Sequence, residues 1–232
     1  MVYNYIMKFD QQVVTLSNIL SDEQIASIYY EAIHRPTSRA FFDGYSQVIT
    51  NFQMPQDIYD IVVDHCQKIT GKNNLYIAAY QFARYRNMHT QDGKYVIPIL
   101  SPHYDDAFAS PRITFDYQIG GNTKWGIGVD GYGEKELENN EAIVFGGTHQ
   151  IHWRPHKVFS ESDYLDMIFM HLSEIGDPPV EDGVKEVMAE SETRCWGEWM
   201  SKINYDLESY YGQADNLENH KYLDNKAPKD YV

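Results

Sequence analysis

The hydrophobic pattern changes its period near residue 75, and this change limits the folds that are open to the chain. Before it, apolar side chains recur at helical spacing; after it, short alternating or β-branched segments are separated by turn residues such as Gly120-Gly121-Asn122. Helices followed by seven or eight short strands predict a mainly β domain, a β-barrel or jelly roll buttressed by N-terminal helices. The expected strands are 75–86, 95–100, 112–119, 125–129, 141–145, 151–154 and 164–172.

The first 74 residues predict one or two strands within residues 1–20 and then two helices. Ser21-Asp22-Glu23-Gln24 is a capping-box pattern followed by apolar residues at helical spacing, so the first helix begins here and ends before Pro36. The second helix is expected at about 55–68, where apolar residues share one face and Gly71 begins a helix-terminating sequence. Both helices are expected to pack against the barrel.

The chain after the last expected strand is acidic and helix-prone. Residues 184–188 and 195–207 predict amphipathic helices that pack on the outside of the barrel.

A chain of 232 residues fits one domain with a well-buried core. We expect its parts to be N-terminal strands and helices (1–74), a barrel core (75–172) and an acidic helical extension (173–232).

Charge and cysteine content narrow the classes of partner and compartment. The formal net charge of −15 argues against binding a nucleic-acid backbone or an anionic membrane surface, because both rely on clustered Lys and Arg. Cys66 and Cys195 form no metal-binding pattern and indicate reduced thiols, and no apolar run approaches the ~20 residues of a membrane span. We expect a cytoplasmic protein that acts on a small molecule or a peptide.

His103-Tyr104-Asp105 and the later His152-Trp153-Arg154 contain the residue types of a mononuclear metal site. His103 and Asp105 lie on the same side of an extended strand, because strand side chains alternate between faces. The third ligand must come from elsewhere, and the 49-residue gap to His152 suits a return strand of a barrel. Two imidazoles and one carboxylate leave three positions free on an iron(II) ion. We therefore predict catalytic metal ligands at His103, Asp105 and His152.

The distal ligand has two candidates, His149 and His152. His149 follows Gly146-Gly147-Thr148 and is expected in a turn, whereas His152 opens an extended segment. A single histidine is most often a surface or hydrogen-bonded residue, so the interpretation depends on its coincidence with the His-x-Asp pair. We favour His152, and His149 stays as the alternative.

The order of these segments resembles the Fe(II)/2-oxoglutarate-dependent dioxygenases, in the prolyl-hydroxylase-like group of the double-stranded β-helix superfamily. In that group a strand ending in a pocket Tyr precedes the His-x-Asp motif, and a hydrophobic strand precedes the distal His. Here Asn140-Glu141 stands where the group has Gly-Asp before that hydrophobic strand. The resemblance spans roughly residues 75–172, and its segments are 80–85, 103–105, 112–117, 141–145, 151–155 and 167–171.

The resemblance implies cofactors and a reaction. Fe(II) would be held by His103, Asp105 and His152, with 2-oxoglutarate and O₂ as cosubstrates and ascorbate in support. The reaction implied is hydroxylation of an unactivated C–H bond, in a prolyl or other amino-acid side chain of a peptide or in a free amino acid, with release of succinate and CO₂. The carboxylate at Asp105 favours hydroxylation over halogenation, since related halogenases have a small residue there.

The chain departs from the family pattern in its basic anchor. Most of the superfamily has a Lys or Arg about ten residues after the distal His to hold the far carboxylate of 2-oxoglutarate, and here no Lys or Arg occurs between residues 157 and 185. Arg154 is a substitute, because two residues after His152 it points to the same inward face, and a guanidinium binds carboxylates bidentately. An ion pair with a neighbouring carboxylate is the alternative role. The other candidate cosubstrate-binding residues are Lys124, Arg112, Tyr85 and Thr114.

Two other functions stay open alongside the amino-acid hydroxylase. One is a dioxygenase of another small metabolite, and the other is a non-catalytic, cupin-like metal-binding domain.

The loop 87–94, Trp125 and Trp153 are candidates for the rim of a substrate site, because a loop beside the His-x-Asp strand is placed to close over substrate.

Overall fold

The computed structural model describes residues 12–34, 39–42, 47–50, 52–86, 88–89, 95–96, 100–105, 113–155, 157, 159–176, 190–191, 193–195, 197–199 and 201–202. The strands in these ranges are β1 (Val14–Ser17), β2 (Arg39–Phe42), β3 (Gln47–Thr50), β4 (Leu75–Arg86), β5 (Met88–His89), β6 (Tyr95–Val96), β7 (Ile113–Gly121), β8 (Ile127–Val129), β9 (Gly133–Lys135), β10 (Glu141–Phe145), β11 (His152–Trp153) and β12 (Tyr164–Glu174). The helices are α1 (Asp22–Tyr29), which continues as a π-helical turn over Tyr30–His34, and α2 (Gln56–Thr70).

The described strands form three sheets, of which the smallest is the pair β5-β6 and the other two face each other across the barrel interior. The larger sheet has the order β1-β10-β7-β12-β4-β3-β2, and the smaller has β11-β8-β9, with antiparallel pairing. A β-bridge between His103 and His152 and a hydrogen bond from the N–H of Arg154 to the carbonyl of Leu100 add residues 100–103 to the smaller sheet. From β4 to β12 the chain crosses repeatedly between the sheets, as in a double-stranded β-helix. The expected jelly-roll core is therefore confirmed.

The larger sheet separates two apolar cores, because alternate residues of its strands face opposite sides. One face packs against α1 and α2, through side chains such as Phe82, Phe115 and Ile168. The other face packs towards the smaller sheet and forms the barrel interior. The buried apolar residues of that interior are Ala83, Tyr85, Trp125, Ile127, Val129, Leu137, Ile143, Phe145, Phe159, Leu165 and Met167.

The helices begin and end as the sequence indicates. The hydroxyl of Ser21 accepts a hydrogen bond from the N–H of Gln24, whose side chain returns one to the N–H of Ser21, so the capping box is present. Gly71 ends α2 in the left-handed conformation at φ 72°, which costs a glycine little. The helix runs to Thr70, slightly beyond the expected end. Among the described helices, none is long and apolar enough to cross a membrane.

Strand bounds follow the sequence prediction closely where packing is regular. β4 and β10 coincide with the expected 75–86 and 141–145, and β12 continues two residues past the expected end. The segment 125–129 contributes only β8 to the smaller sheet, and only 95–96 of the segment 95–100 form a strand, with 97–99 outside the described residues.

The described part of the C-terminal extension packs against the smaller sheet. Residues 190–201 are helical where they are described. Trp199 is buried and donates its indole N–H to the carbonyl of Arg154 at 2.9 Å, while Nη2 of Arg194 binds both carboxylate oxygens of Asp130 at 2.6 and 2.7 Å. The expected helices at 184–188 and beyond residue 202 lie outside the described residues.

Candidate metal centre

The smaller sheet brings the three expected ligands together. The backbones of His103 and His152 exchange two hydrogen bonds of 3.0 Å, so their side chains stand next to each other, with ring centroids 4.2 Å apart. Asp105 follows in the loop, where its N–H donates to the carbonyl of Gly147 at 3.0 Å. One ligand atom from each of the three residues lies within 4.8 Å of the other two. The distance from Oδ1 of Asp105 is 3.4 Å to Nε2 of His152 and 4.0 Å to Nε2 of His103.

Both imidazoles are oriented by a contact of Nδ1, the ring nitrogen that does not face Asp105. Nδ1 of His103 lies 2.8 Å from the carbonyl of Ser101, and Nδ1 of His152 lies 3.2 Å from the carbonyl of Gln150. A carbonyl only accepts hydrogen bonds, so each Nδ1 carries a proton, and each Nε2, on the Asp105 side, is the nitrogen available to a metal. This tautomer and this backbone partner are the ones that metal-binding histidines use.

The second carboxylate oxygen of Asp105, Oδ2, is held by other groups. The hydroxyl of Thr114, on β7, donates a hydrogen bond to it, and Nδ1 of His171, on β12, lies 3.5 Å away. Gly147 closes the same side, because a Cβ at this position would overlap Oδ2 and the side chain of Thr114. Only Oδ1 therefore faces the two imidazoles, and Asp105 is arranged as a one-oxygen ligand.

The charge state of the three residues suits a divalent cation. Burial, assisted by the neighbouring His152, lowers the pKa of His103 to about 4, so this imidazole is neutral near pH 7. Burial also opposes charge on Asp105 and His152, but their mutual attraction is stronger. It holds the pKa of Asp105 well below its usual range and raises the pKa of His152. A carboxylate with two imidazoles, one of them holding a replaceable proton, is a donor set for Fe(II).

Among the three candidate ligands, two are buried and one is partly exposed. Asp105 and His152 are buried, whereas 36% of the His103 side chain is exposed. Phe145 packs on the ring of His152, with centroids 4.7 Å apart, and closes the barrel side. Ligands and substrate can therefore approach past His103.

Arg154 lies inside the barrel, as its position two residues after His152 predicts. Its Nη1 donates to the carbonyls of Trp125 and Gly126 at 2.9 and 3.3 Å, while its Nε and Nη2 are buried without a hydrogen-bond partner. The guanidinium lies 5.3 Å from the ring centroid of Trp125 and 6.0 Å from that of Tyr85. Two buried N–H groups left open in the barrel interior, two residues after His152, fit a carboxylate ligand, because an unsatisfied charged donor is costly.

The other expected cosubstrate residues occupy different places. Tyr85 is buried beside Arg154, and the hydroxyl of Thr114 already binds Asp105. Lys124 is exposed and its ammonium binds Glu138 on the surface, and Arg112 lies outside the described residues. Arg154 is therefore the described basic candidate that the fold buries in the barrel.

The alternative ligand and the expected rim residues are also placed. His149 lies in the turn after β10, where its N–H donates to the carbonyl of Gly146, and it is not in the ligand group. Trp125 lies in the barrel core rather than at a surface rim, and Trp153 is half-buried over Gly128. The loop 87–94 is largely outside the described residues.

Three residues of the site did not emerge from the sequence as functional. His171 was expected only as part of the last strand, Gly147 only as part of a turn, and Asp116 only as a strand residue. The register of β12 places His171 opposite Thr114, and Asp116 follows Thr114 on the same face of β7. The available signal was polar residues at alternate, inward-facing positions of strands that are otherwise apolar.

Solved structures with a similar fold are oxygenases or related enzymes. SnoN, a non-heme alpha ketoglutarate dependent epimerase from nogalamycin biosynthesis, is 14% identical over 71% of this chain and 78% of its own, with a TM-score of 0.54. EctD from S. alaskensis is 10% identical over 75% and 78%, with a TM-score of 0.50. A Pseudomonas putida prolyl-4-hydroxylase is 12% identical over 72% of this chain and 94% of its own, with a TM-score of 0.47.

The topology and these similarities define the class of fold. The chain shares its double-stranded β-helix fold with these solved structures, and its described residues include a His-Asp-His group that could hold a metal ion. No protein-family model and no curated protein matches the sequence.

Proposed function

We propose that this protein is an Fe(II)- and 2-oxoglutarate-dependent dioxygenase that hydroxylates an amino-acid side chain, in a peptide or in a free amino acid. Prolyl side chains are the first choice of substrate, because the sequence resembles the prolyl-hydroxylase-like group. The observation that carries the proposal is the convergence of Nε2 of His103, Oδ1 of Asp105 and Nε2 of His152 at one partly open place. Such a face leaves three coordination positions for other ligands.

The position of Arg154 supports 2-oxoglutarate as the cosubstrate. His152 and Arg154 are two residues apart on an extended segment, a step of about 6.7 Å. This step is comparable with the length of a five-carbon dicarboxylate, so Arg154 would be within reach of the far carboxylate of a 2-oxo acid held at the metal. The open Nε and Nη2 of Arg154 are the donors for that carboxylate.

Each residue of the site has a defined task in the proposed reaction. His103, Asp105 and His152 hold the metal, and the backbone carbonyls at Ser101 and Gln150 keep both imidazoles in the correct tautomer. When bound, Fe(II) and 2-oxoglutarate activate O₂ for C–H hydroxylation, with release of succinate and CO₂. The apolar barrel interior excludes water from the cosubstrate, which protects a reactive centre from side reactions.

The proposed activity is tested by measuring succinate. Purified protein with Fe(II), 2-oxoglutarate, O₂ and ascorbate is incubated with proline-containing peptides, other peptides and free amino acids, and each product is checked by mass spectrometry for a gain of one oxygen atom. Substrate-dependent succinate together with that gain is the expected result. Metal binding without succinate on any substrate would favour a non-catalytic metal-binding domain, and turnover confined to a non-amino-acid metabolite would overturn the substrate class.

A further inference from the structure

A buried carboxyl group lies in the barrel where the proposed cosubstrate would bind. Asp116 is on β7, two residues after Thr114 and therefore on the same inward face, and it is 3% exposed. Its neighbours across the strands are Ile143 on β10 and Phe169 on β12. An acidic residue between apolar neighbours is costly unless it has a function or a partner.

Asp116 and Arg154 face the same interior without completing each other's hydrogen bonds. Oδ1 of Asp116 is buried without a hydrogen-bond partner, as are Nε and Nη2 of Arg154. The charge of each residue nevertheless affects the pKa of the other. Burial raises the pKa of Asp116 to about 6 against the opposing charge of Arg154, and the charge of Asp116 opposes the loss of the Arg154 proton that burial favours. The charges of His152, Asp105 and His171 also affect the pKa of Asp116.

This arrangement conflicts with strong binding of a dianion. A 2-oxo dicarboxylate needs the guanidinium of Arg154 for its far carboxylate, but it brings that carboxylate close to the buried charge of Asp116. The same charge affects a 2-oxo monocarboxylate much less, because such a ligand has no charge at the Arg154 end. The charge of Asp116 therefore weakens the binding of the dicarboxylate more than the binding of the monocarboxylate.

We infer that Asp116 is a specificity-determining residue of the cosubstrate pocket, which weakens the binding of 2-oxoglutarate by opposing the far carboxylate held by Arg154. The inference rests on the proposed function and concerns the same pocket. It means that the protein requires a high concentration of 2-oxoglutarate, and that its cosubstrate preference is set by a pair of opposite charges rather than by the arginine alone.

The size of the effect follows from Coulomb's law. Taking a separation on the order of two strand residues, about 7 Å, and an effective dielectric constant of about 20, two unit charges change a Kd by several tens of fold. Solvent and the nearby guanidinium reduce this figure, so the expected change on removing the charge is at least tenfold. The direction of the change in Kd is the informative part. Replacing a buried polar residue in a binding pocket ordinarily weakens binding, whereas removing the charge of Asp116 is expected to strengthen it.

The experiment measures binding rather than turnover. The protein is loaded with Ni(II), a redox-silent stand-in for Fe(II), and titrated calorimetrically at pH 8 with 2-oxoglutarate and with 2-oxopentanoate, which has a methyl group in place of the far carboxylate. Asp116→Asn keeps the shape and removes the charge, and Asp116→Ala is a second variant in case the amide misfolds. Asp64→Asn, which removes an exposed carboxylate on α2, is the matched control.

We expect Asp116→Asn to bind 2-oxoglutarate at least tenfold more tightly than the unaltered protein, with a clearly smaller gain for 2-oxopentanoate and no change in Asp64→Asn. Weaker or unchanged 2-oxoglutarate binding in both Asp116 variants, with Ni(II) still bound, overturns the inference. An equal gain for both ligands overturns it too, since the effect would then not involve the far carboxylate. If the unaltered protein and every variant bind Ni(II) but no 2-oxo acid, the proposed function itself has failed.

Discussion

Adding a single methyl group at Gly147 is expected to damage the metal site without unfolding the protein. A Cβ on Gly147 would lie 2.9 Å from Cβ of Thr114 and closer still to Oγ1 of Thr114 and Oδ2 of Asp105, all nearer than real Cβ atoms approach. Either the turn or the Thr114–Asp105 pair must move. Because Asp105 also receives its backbone partner from Gly147, the displacement passes directly to a ligand.

The substitution Gly147→Ala is expected to lower both the folding free energy and the metal affinity. Overpacking of this kind costs about 1–3 kcal/mol of folding free energy. Disturbing the groups that orient a ligand costs about 10- to 100-fold in metal affinity. We therefore expect Gly147→Ala to raise the Kd for Co(II) or Fe(II) by at least tenfold while the protein stays folded at 25 °C.

The assay compares Gly147→Ala with Gly120→Ala. A Cβ on Gly120 would also meet an atom too closely, but that atom is the hydroxyl of Tyr29, at the end of a side chain from α1. Metal affinity is measured by competition with a chelator, and folding by circular dichroism and thermal unfolding. Gly120→Ala is expected to lower Tm with its metal affinity intact. Normal metal affinity in Gly147→Ala would refute the reasoning about the carboxylate, and an equal loss in both variants would show a general effect of destabilisation.

Three further changes test the site and its support. His152→Ala should abolish tight Fe(II) binding in equilibrium dialysis while His149→Ala keeps it, and the reverse result would reassign the distal ligand. Arg154→Ala should raise the concentration of 2-oxoglutarate needed for binding by at least tenfold with Ni(II) affinity nearly intact, because it removes a charged bidentate donor; an unchanged requirement would contradict its role as anchor. Tyr29→Phe should lower the free energy of unfolding in urea by about 1–2 kcal/mol, because its hydroxyl donates to the buried Asp166 at 2.8 Å. No change in that free energy would mean that this hydrogen bond adds nothing to the attachment of α1.

Local patterns made much of the fold predictable. The strands β4 and β10 follow from their apolar and β-branched residues, and the start of α1 and end of α2 follow from Ser21 and Gly71. These features depend on residues within a few positions of one another, so a single sequence contains the information. The His-x-Asp pair was also found from its spacing, although only His103 pairs with a strand and Asp105 lies in the loop that follows.

The sequence by itself determined the types of ligand, the helix boundaries and the succession of strands, since each depends on neighbouring residues and their period. Only the tertiary structure decided which oxygen of Asp105 faces the two imidazoles, which described basic residue is buried in the barrel, and that His171 and Gly147 lie against Asp105 while Asp116 shares the inward face of β7 with Thr114. Strand pairing across the barrel sets these contacts between residues far apart in the chain. The register between β7 and β12 is a property of the assembled sheet, and a shift by one residue would turn His171 to the face opposite Thr114 and Asp116.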